Sequence, residues 1–159
     1  MIATDDAVLI AQYDCLHGLK QMVVDMKAQE HPQATTHKRV YRPWGYYECL
    51  GDGPGFQTKI LNVTPGAQLS LQSHRRRAEH WTCVQGVATA QVDKVRHTLN
   101  VGESLDVPLG AIHRLENAGV EDVQIVEVQF GDYLGEDDIV RYADIYGRMP
   151  STEKVRTNK

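Results

Sequence analysis

From Arg42 to Phe130 the chain is cut into short segments by glycine and proline. The breaks fall at GDGPG (51–55), PG (65–66), Gly86, Gly102, PLG (108–110) and Gly119. Between them lie YYECL, FQTKILNV, QLSLQS, EHWTCVQ, VATAQV, ESLDV, HRLEN and VQIVEVQF. Segments of this length, recurring every roughly eight to twelve residues, read as strands of an all-β sandwich or barrel. No helical periodicity interrupts them, so the crossover helices of a parallel βαβ sheet have no place.

The flanks differ. Ala7 to Ala11 is a short apolar run that reads as a strand. Leu16, Leu19, Met22, Val23 and Met26 then share one face at helical spacing, with Asp14 as N-cap and Pro32 as stop. EDDIVRYADIYGR (136–148) reads as a short C-terminal helix. The expected division is an N-terminal arm over 1–39, a barrel over 40–148 and a flexible tail over 149–159. The apolar stripe of the arm needs a cover, its own barrel or a second copy of the chain. A homodimer is therefore expected, and a strictly monomeric solution mass would count against it.

A length of 159 residues fits one domain with a proper core. The net charge of -4 gives no reason to expect nucleic acid or an anionic membrane as partner. The N-terminus carries acids where a signal peptide would carry lysine or arginine, so the expected location is cytoplasmic. Cys15, Cys49 and Cys83 are odd in number and without a CxxC pair, and read as reduced core thiols.

The chemistry gathers around LQSHRRRAEHW (71–81). Gln72 and His74 are two apart and share a strand face. Glu79 follows a turn at the start of the next strand, and His113 starts a later one. Two imidazoles, a carboxylate and an amide oxygen suit a divalent ion, Zn²⁺ first, with Mn²⁺, Co²⁺ or Fe²⁺ as alternatives. The QxH pair alone would more often be a half-exposed polar strand. Arg77 shares parity with Glu79 and points inward if the strand begins early. Arg75 and Arg76 either bind an anion at the barrel mouth or lie in a solvated turn. Lys59 alternates with Leu61 and Val63 and so faces inward. It needs a carboxylate or a bound anion, or else has a depressed pKa and acts as a base. Glu127, inside an apolar strand, is either its partner or a proton carrier. His80 should point away from Glu79 and pack, Trp44 and Trp81 should be core, and His17, His31, His37 and His97 read as surface.

Two glycine-framed blocks change the weight of these residues. Gly66, Gln72, His74, Glu79 and Gly86 form one; Gly102, Pro108, Leu109, Gly110, His113 and Asn117 form the other. Their spacing resembles the two signature blocks of the cupin superfamily, with Gln72 where most members have the first histidine. RPWGYYECL, FQTKILNVTPGAQLSLQSHRRRAEHW, PLGAIHRLEN, VEVQFGDYLGEDDIVR and the final YGR further resemble the type II mannose-6-phosphate isomerases. In those proteins the module is the C-terminal part of a bifunctional mannose-1-phosphate guanylyltransferase/mannose-6-phosphate isomerase. The likeness covers about residues 40 to 148, and residues 1 to 30 look like the tail of the guanylyltransferase half.

The resemblance implies a single cupin barrel (a double-stranded β-helix, or jelly roll) and a metal held by Gln72, His74, Glu79 and His113. It also implies aldose–ketose isomerisation of mannose 6-phosphate to fructose 6-phosphate through a cis-enediol, serving GDP-mannose and polysaccharide synthesis. Arg77, Lys59 and Glu127 are then the expected catalytic residues, and Arg75 and Arg76 the expected phosphate contacts. The glycine-rich nucleotide loop of a guanylyltransferase is absent, so GMP transfer is expected to need a separate partner protein. The family's motif reads LQ-x-HxHRxEHW, and this chain has Arg76 where the second histidine would stand. The rival readings are a non-catalytic sugar-phosphate-binding or regulatory cupin, and another cupin enzyme such as an oxygenase or epimerase.

Overall fold

The computed structural model describes residues 1–3, 8–29, 31, 34 and 37–148. They fall into two compact units, Met1–Val40 and Tyr41 onward. In the first unit, β1 (Ile2–Ala3) pairs antiparallel with β2 (Val8–Leu9). A 3-10 turn, Tyr13–Gly18, then runs into α1, Leu19–Ala28. The expected strand over 7–11 is present at Val8–Leu9. The expected cap is not: Gln12 precedes the helical segment without a side-chain bond. Asp14 sits inside the first turn, where its charge still favours the positive helix end. Pro32 lies outside the described residues. No residue of α1 is buried, and Leu16, Met22 and Val23 of the apolar stripe are exposed. No helix among the described residues is long and apolar enough to cross a membrane.

β3 (Arg39–Arg42) crosses the boundary at Tyr41, and the second unit goes on with β4 (Gly45–Gly53), β5 (Phe56–Val63), β6 (Leu71–His74), β7 (Arg77–Gln85) and β8 (Ala88–Val92), followed by β9 (Val95–Leu99), β10 (Ser104–Val107), β11 (His113–Glu116), β12 (Val123–Gly131) and β13 (Ile139–Ala143). One sheet has the order β10-β7-β12-β5-β4-β3, the other β13-β6-β11-β8-β9. Each of the eight expected segments contributes a strand, QLSLQS only from Leu71 onward. Alternation sends Leu61, Val63, Trp81, Cys83, Val123 and Ile125 of the first sheet into the core. Ala88, Ala90, Leu99 and Leu115 of the second join them there. This is the all-β barrel expected from the punctuation.

One element is corrected. Residues 136–148 make no α-helix: Glu136–Asp138 form a 3-10 turn, and Ile139–Ala143 then pair antiparallel with β6. β6 is flanked on one side by β11 and would otherwise present an open edge on the other. The β-branched pair Ile139-Val140 suits the ladder better than a helix. The cysteine expectation also needs correction, since only Cys83 is buried, Cys49 being half-buried and Cys15 exposed.

The motif glycines have a mechanical reason. Gly66, Gly86, Gly102 and Gly110 all take positive φ. At Gly86 a Cβ would lie 2.7 Å from the Asp122 carbonyl oxygen, so no side chain fits the turn that ends β7. At Gly131 a Cβ would run into the Arg76 carbonyl and come within 2.8 Å of the Arg77 Cα. The absent side chain there lets β12 approach the point where Arg77 enters the barrel.

Candidate metal centre and adjoining cavity

Strand register assembles the centre. Gln72 and His74 share the inward face of β6, and His113 of β11 is the cross-strand neighbour of Gln72. In the facing sheet, Glu79 of β7 lies opposite Gln129 of β12. His74, Glu79 and His113 are each 2% exposed or less, and their ligand atoms lie within 4.8 Å of one another. His74 Nε2 is 3.0 Å from Glu79 Oε1, and His113 Nε2 is 3.6 Å from Glu79 Oε2. Neither contact has hydrogen-bond geometry, and both Nε2 atoms, with His74 Nδ1, are buried without a partner.

His113 Nδ1 donates to the Ala111 carbonyl at 3.0 Å, which leaves the Nε2 lone pair facing Glu79. Buried polar atoms rarely go unpaired. Two imidazoles with unpaired nitrogens converging with a carboxylate on one point fit a divalent cation. Gln72 adds an amide oxygen on the same face, where it accepts a bond from the Ser70 hydroxyl at 2.8 Å.

The charges are arranged for ligation. Burial works against ionised Glu79, but His74, His113 and Arg77 outweigh it and draw its pKa down to about 2. Burial lowers the pKa of His113, the direction that favours a neutral, ligating imidazole. Beside Glu79 stands a second buried carboxylate, Glu127, and two donors bridge the pair. Trp81 Nε1 donates to Glu79 Oε2 at 3.2 Å and to Glu127 Oε1 at 3.1 Å. Gln129 Nε2 donates to Glu79 Oε1 at 3.1 Å and to Glu127 Oε2 at 2.9 Å. Burial, then the charge of Glu79, push Glu127 up to about 8.

In metal-free protein this carboxyl gives a pH signature. Folded Glu127 keeps its proton to about 8, whereas an unfolded one loses it near 4.5. Once histidine titration is over, from about pH 7.5, the folded state still holds the extra proton, and stability falls as pH rises through 8. The Tm of metal-free protein should drop across this window and Glu127→Gln should flatten the slope. A Tm rising with pH there would contradict the placement of Glu127.

Arg77 opens β7, is 2% exposed and points inward as its parity with Glu79 predicts. Its Nη1 donates to the carbonyls of Gly135 at 2.8 Å and Leu134 at 3.3 Å, and its Nε lies 3.5 Å from Glu79 Oε1. Lys59 is 4% exposed, is the cross-strand neighbour of Glu127, and binds Glu136 Oε1 at 2.9 Å. Burial works to lower the Lys59 pKa, but Glu136 and Glu127 outweigh it and the net direction is up. Lys59 is a fixed cation, which rules out the depressed-pKa base.

Arg75 and Arg76 are not brought to the site. They occupy the exposed turn between inward His74 and inward Arg77, and their backbone N–H groups donate to Asp138. The Arg76 guanidinium binds Asp132 at 2.9 Å and stacks over Tyr133. The departure from the family motif at position 76 therefore falls outside the cavity. His80 does face away from Glu79, but it pairs with Asp106 at 2.6 Å on the surface where packing was expected. Trp44 and Trp81 are core.

A cavity opens beside the cluster. Gln72, Lys59, Arg77, Glu79 and Glu127 line it, together with residues not singled out in the sequence: Gln129, Glu136, Arg42, Arg141 and Arg148. Gln129 could have been found, since it stands two residues from Glu127 and shares its face.

Comparison with known proteins adds the following. The family described as mannose-6-phosphate isomerase C-terminal matches residues 29–144. Over 153 residues the chain is 45% identical to alginate biosynthesis protein AlgA of Pseudomonas syringae pv. tomato, covering 96% of this chain and 32% of that protein. Over 149 residues it is 44% identical to the mannose-1-phosphate guanylyltransferase of Escherichia coli K12, covering 94% and 31%. The chain thus spans about a third of the length of the curated relatives it matches. Among solved structures, the Cnp3 cupin domain of Schizosaccharomyces pombe is similar in fold, with a TM-score of 0.53 at 18% identity, over 55% of this chain and 64% of that one.

Proposed function

Because the chain belongs to the family of mannose-6-phosphate isomerase C-terminal domains, we propose that its cupin barrel interconverts mannose 6-phosphate and fructose 6-phosphate. The reaction moves a proton between C2 and C1 through a cis-enediol. The observation that carries this reading is the pair of buried carboxylates, Glu79 and Glu127, held by shared donors in one cavity but in opposed electrostatic settings. Such divergence marks an acid–base assignment.

Glu79 stays ionised and serves as ligand, while Glu127, whose proton affinity burial raises, is placed to carry a proton between the two carbons. Arg77, permanently charged and fixed by two carbonyls, stabilises the enediolate oxygen. Lys59 adds positive charge and restrains Glu136. A divalent metal, Zn²⁺ first, held by His74, Glu79 and His113 with Gln72 beside them, would supply Lewis-acid polarisation of the sugar oxygens. The product would feed GDP-mannose and polysaccharide synthesis in the cytoplasm.

Proton NMR of mannose 6-phosphate turnover in D₂O tests the proton route. Solvent deuterium is expected on the carbon that accepts the proton, because the proton taken up by the carboxylate exchanges with solvent during the lifetime of the enediol. Glu127→Gln and Arg77→Gln should each lower kcat by about a hundredfold or more. Turnover without any solvent label would point to hydride transfer and remove Glu127 from the role.

A further inference from the structure

We propose that Arg42, Arg141 and Arg148 form the subsite that takes the phosphate monoester of the substrate. The ligand class rests on the isomerase reading, but phosphate capture can be measured without turnover.

Of the two inward cations near the carboxylate pair, Lys59 is engaged by Glu136, and Arg77 is held by two carbonyls through Nη1, with its Nε unpaired but turned toward Glu79. The arginines of the 75–76 turn face solvent. Three further guanidinium groups reach the cavity from outside the metal-bearing strands. Arg42 comes from β3, Arg141 from β13 and Arg148 from the turn that follows it.

Register places Arg141. It is the cross-strand neighbour of Gln72, so it projects from the same inward face as the Gln72–His113 row. Had 136–148 been a helix, this alignment would not exist. The Arg141 Nε is buried and has no hydrogen-bond partner. A buried guanidinium donor left open on a cavity wall is an incomplete site for an anion. Burial first, and the Arg148 charge second, act against the cationic form of Arg141, a cost that a bound dianion would remove.

Arg148 is oriented for the task. Its Nε bonds both carboxylate oxygens of Asp144 at 3.2 Å, and its guanidinium stacks on Tyr146. Arg42 lies over the Tyr47 ring and donates to the Tyr41 carbonyl and, at 3.5 Å, to the Tyr47 hydroxyl. The cavity wall carries five cations (Arg42, Lys59, Arg77, Arg141 and Arg148) against three carboxylates (Glu79, Glu127 and Glu136). This local positive excess sits in a chain of net charge -4. Planar guanidinium forks are the side chains best matched to phosphate oxygens.

The test is calorimetric titration of inorganic phosphate into metal-free protein, so that no bound ion can ligate the anion. Arg141→Gln and Arg42→Gln should each weaken phosphate binding about ten- to hundredfold. The double variant Arg75→Gln/Arg76→Gln should bind as the parent does. In metal-loaded protein, the same substitutions at 141 and 42 should raise KM for mannose 6-phosphate by a similar factor and leave kcat within a few-fold. Arg141→Lys should recover part of the loss.

Arg148→Gln loses the Asp144 clamp and could fail to fold, in which case Arg42→Gln, whose hydrogen bonds are few, carries the test. Equal phosphate binding by parent and Arg141→Gln would overturn the subsite, as would a loss confined to the 75/76 variant or no phosphate binding by the parent. Arginine-dependent phosphate binding without isomerisation would leave the subsite standing and sink the isomerase. Isomerisation with KM unmoved in Arg141→Gln would do the reverse.

Discussion

Glu79→Gln is expected to reduce affinity for a divalent ion by more than about a hundredfold and to abolish isomerisation, in a barrel that still folds. The carboxylate is the one negative charge in the His74–Glu79–His113 cluster, and neutral imidazoles do not replace it. The amide also meets the wrong neighbours. Trp81 Nε1 and Gln129 Nε2 donate to opposite oxygens of Glu79, so one of them would face the new NH₂ group. Loss of the Glu79 charge should lower the Glu127 pKa as well, because that charge is the second cause of its elevation. Titration of Zn²⁺ into the variant checks the main effect, with near-ultraviolet circular dichroism to confirm the fold. Affinity equal to the parent's would mean that the ion binds elsewhere.

Trp81→Ala should cost about 3–5 kcal/mol of stability, the usual loss for a large aromatic removed from a core. Trp81 is 1% exposed, and its ring meets His113 edge-on at 5.5 Å. Its N–H also bridges Glu79 and Glu127, so the deletion leaves both a void and two buried carboxylates short of a donor. Trp81→Phe separates the two effects. It keeps most of the packing and loses the bridge, for an expected cost of about 1–3 kcal/mol. Urea unfolding of the two variants is the measurement. A loss below about 1 kcal/mol for Trp81→Ala would remove it from the core.

These two residues also show what was legible in advance. Two-residue parity after a turn was enough to send Glu79, Trp81 and Arg77 inward, because a strand leaves a side chain only two directions. The motif glycines could be read as turns because only glycine tolerates their backbone. His74, Glu79 and His113 converge because those turns close the barrel. What stayed hidden depended on pairing between distant segments. EDDIVRYADIYGR carries both the acids of a helix start and the alternation of a strand, and only the open edge of β6 decides between them. The same decision turns Arg141 inward. The Lys59–Glu136 pair joins residues 77 apart in sequence, so the partner that raises the Lys59 pKa was out of reach of local pattern. Arg75 and Arg76 misled because consecutive cations beside a ligand histidine look like an anion site, whereas a tight turn projects both into solvent.

The most direct measurement is isomerisation of mannose 6-phosphate by the purified chain, stripped of metal and then reloaded with Zn²⁺, Mn²⁺, Co²⁺ or Fe²⁺ in turn. The expected result is no turnover in the stripped protein, recovery with at least one ion, and no recovery in Glu79→Gln. Turnover that survives metal removal would contradict the role given to the His74–Glu79–His113 cluster. A folded protein that binds the ion and phosphate yet turns over with none of the four would be a sugar-phosphate-binding cupin and not an isomerase.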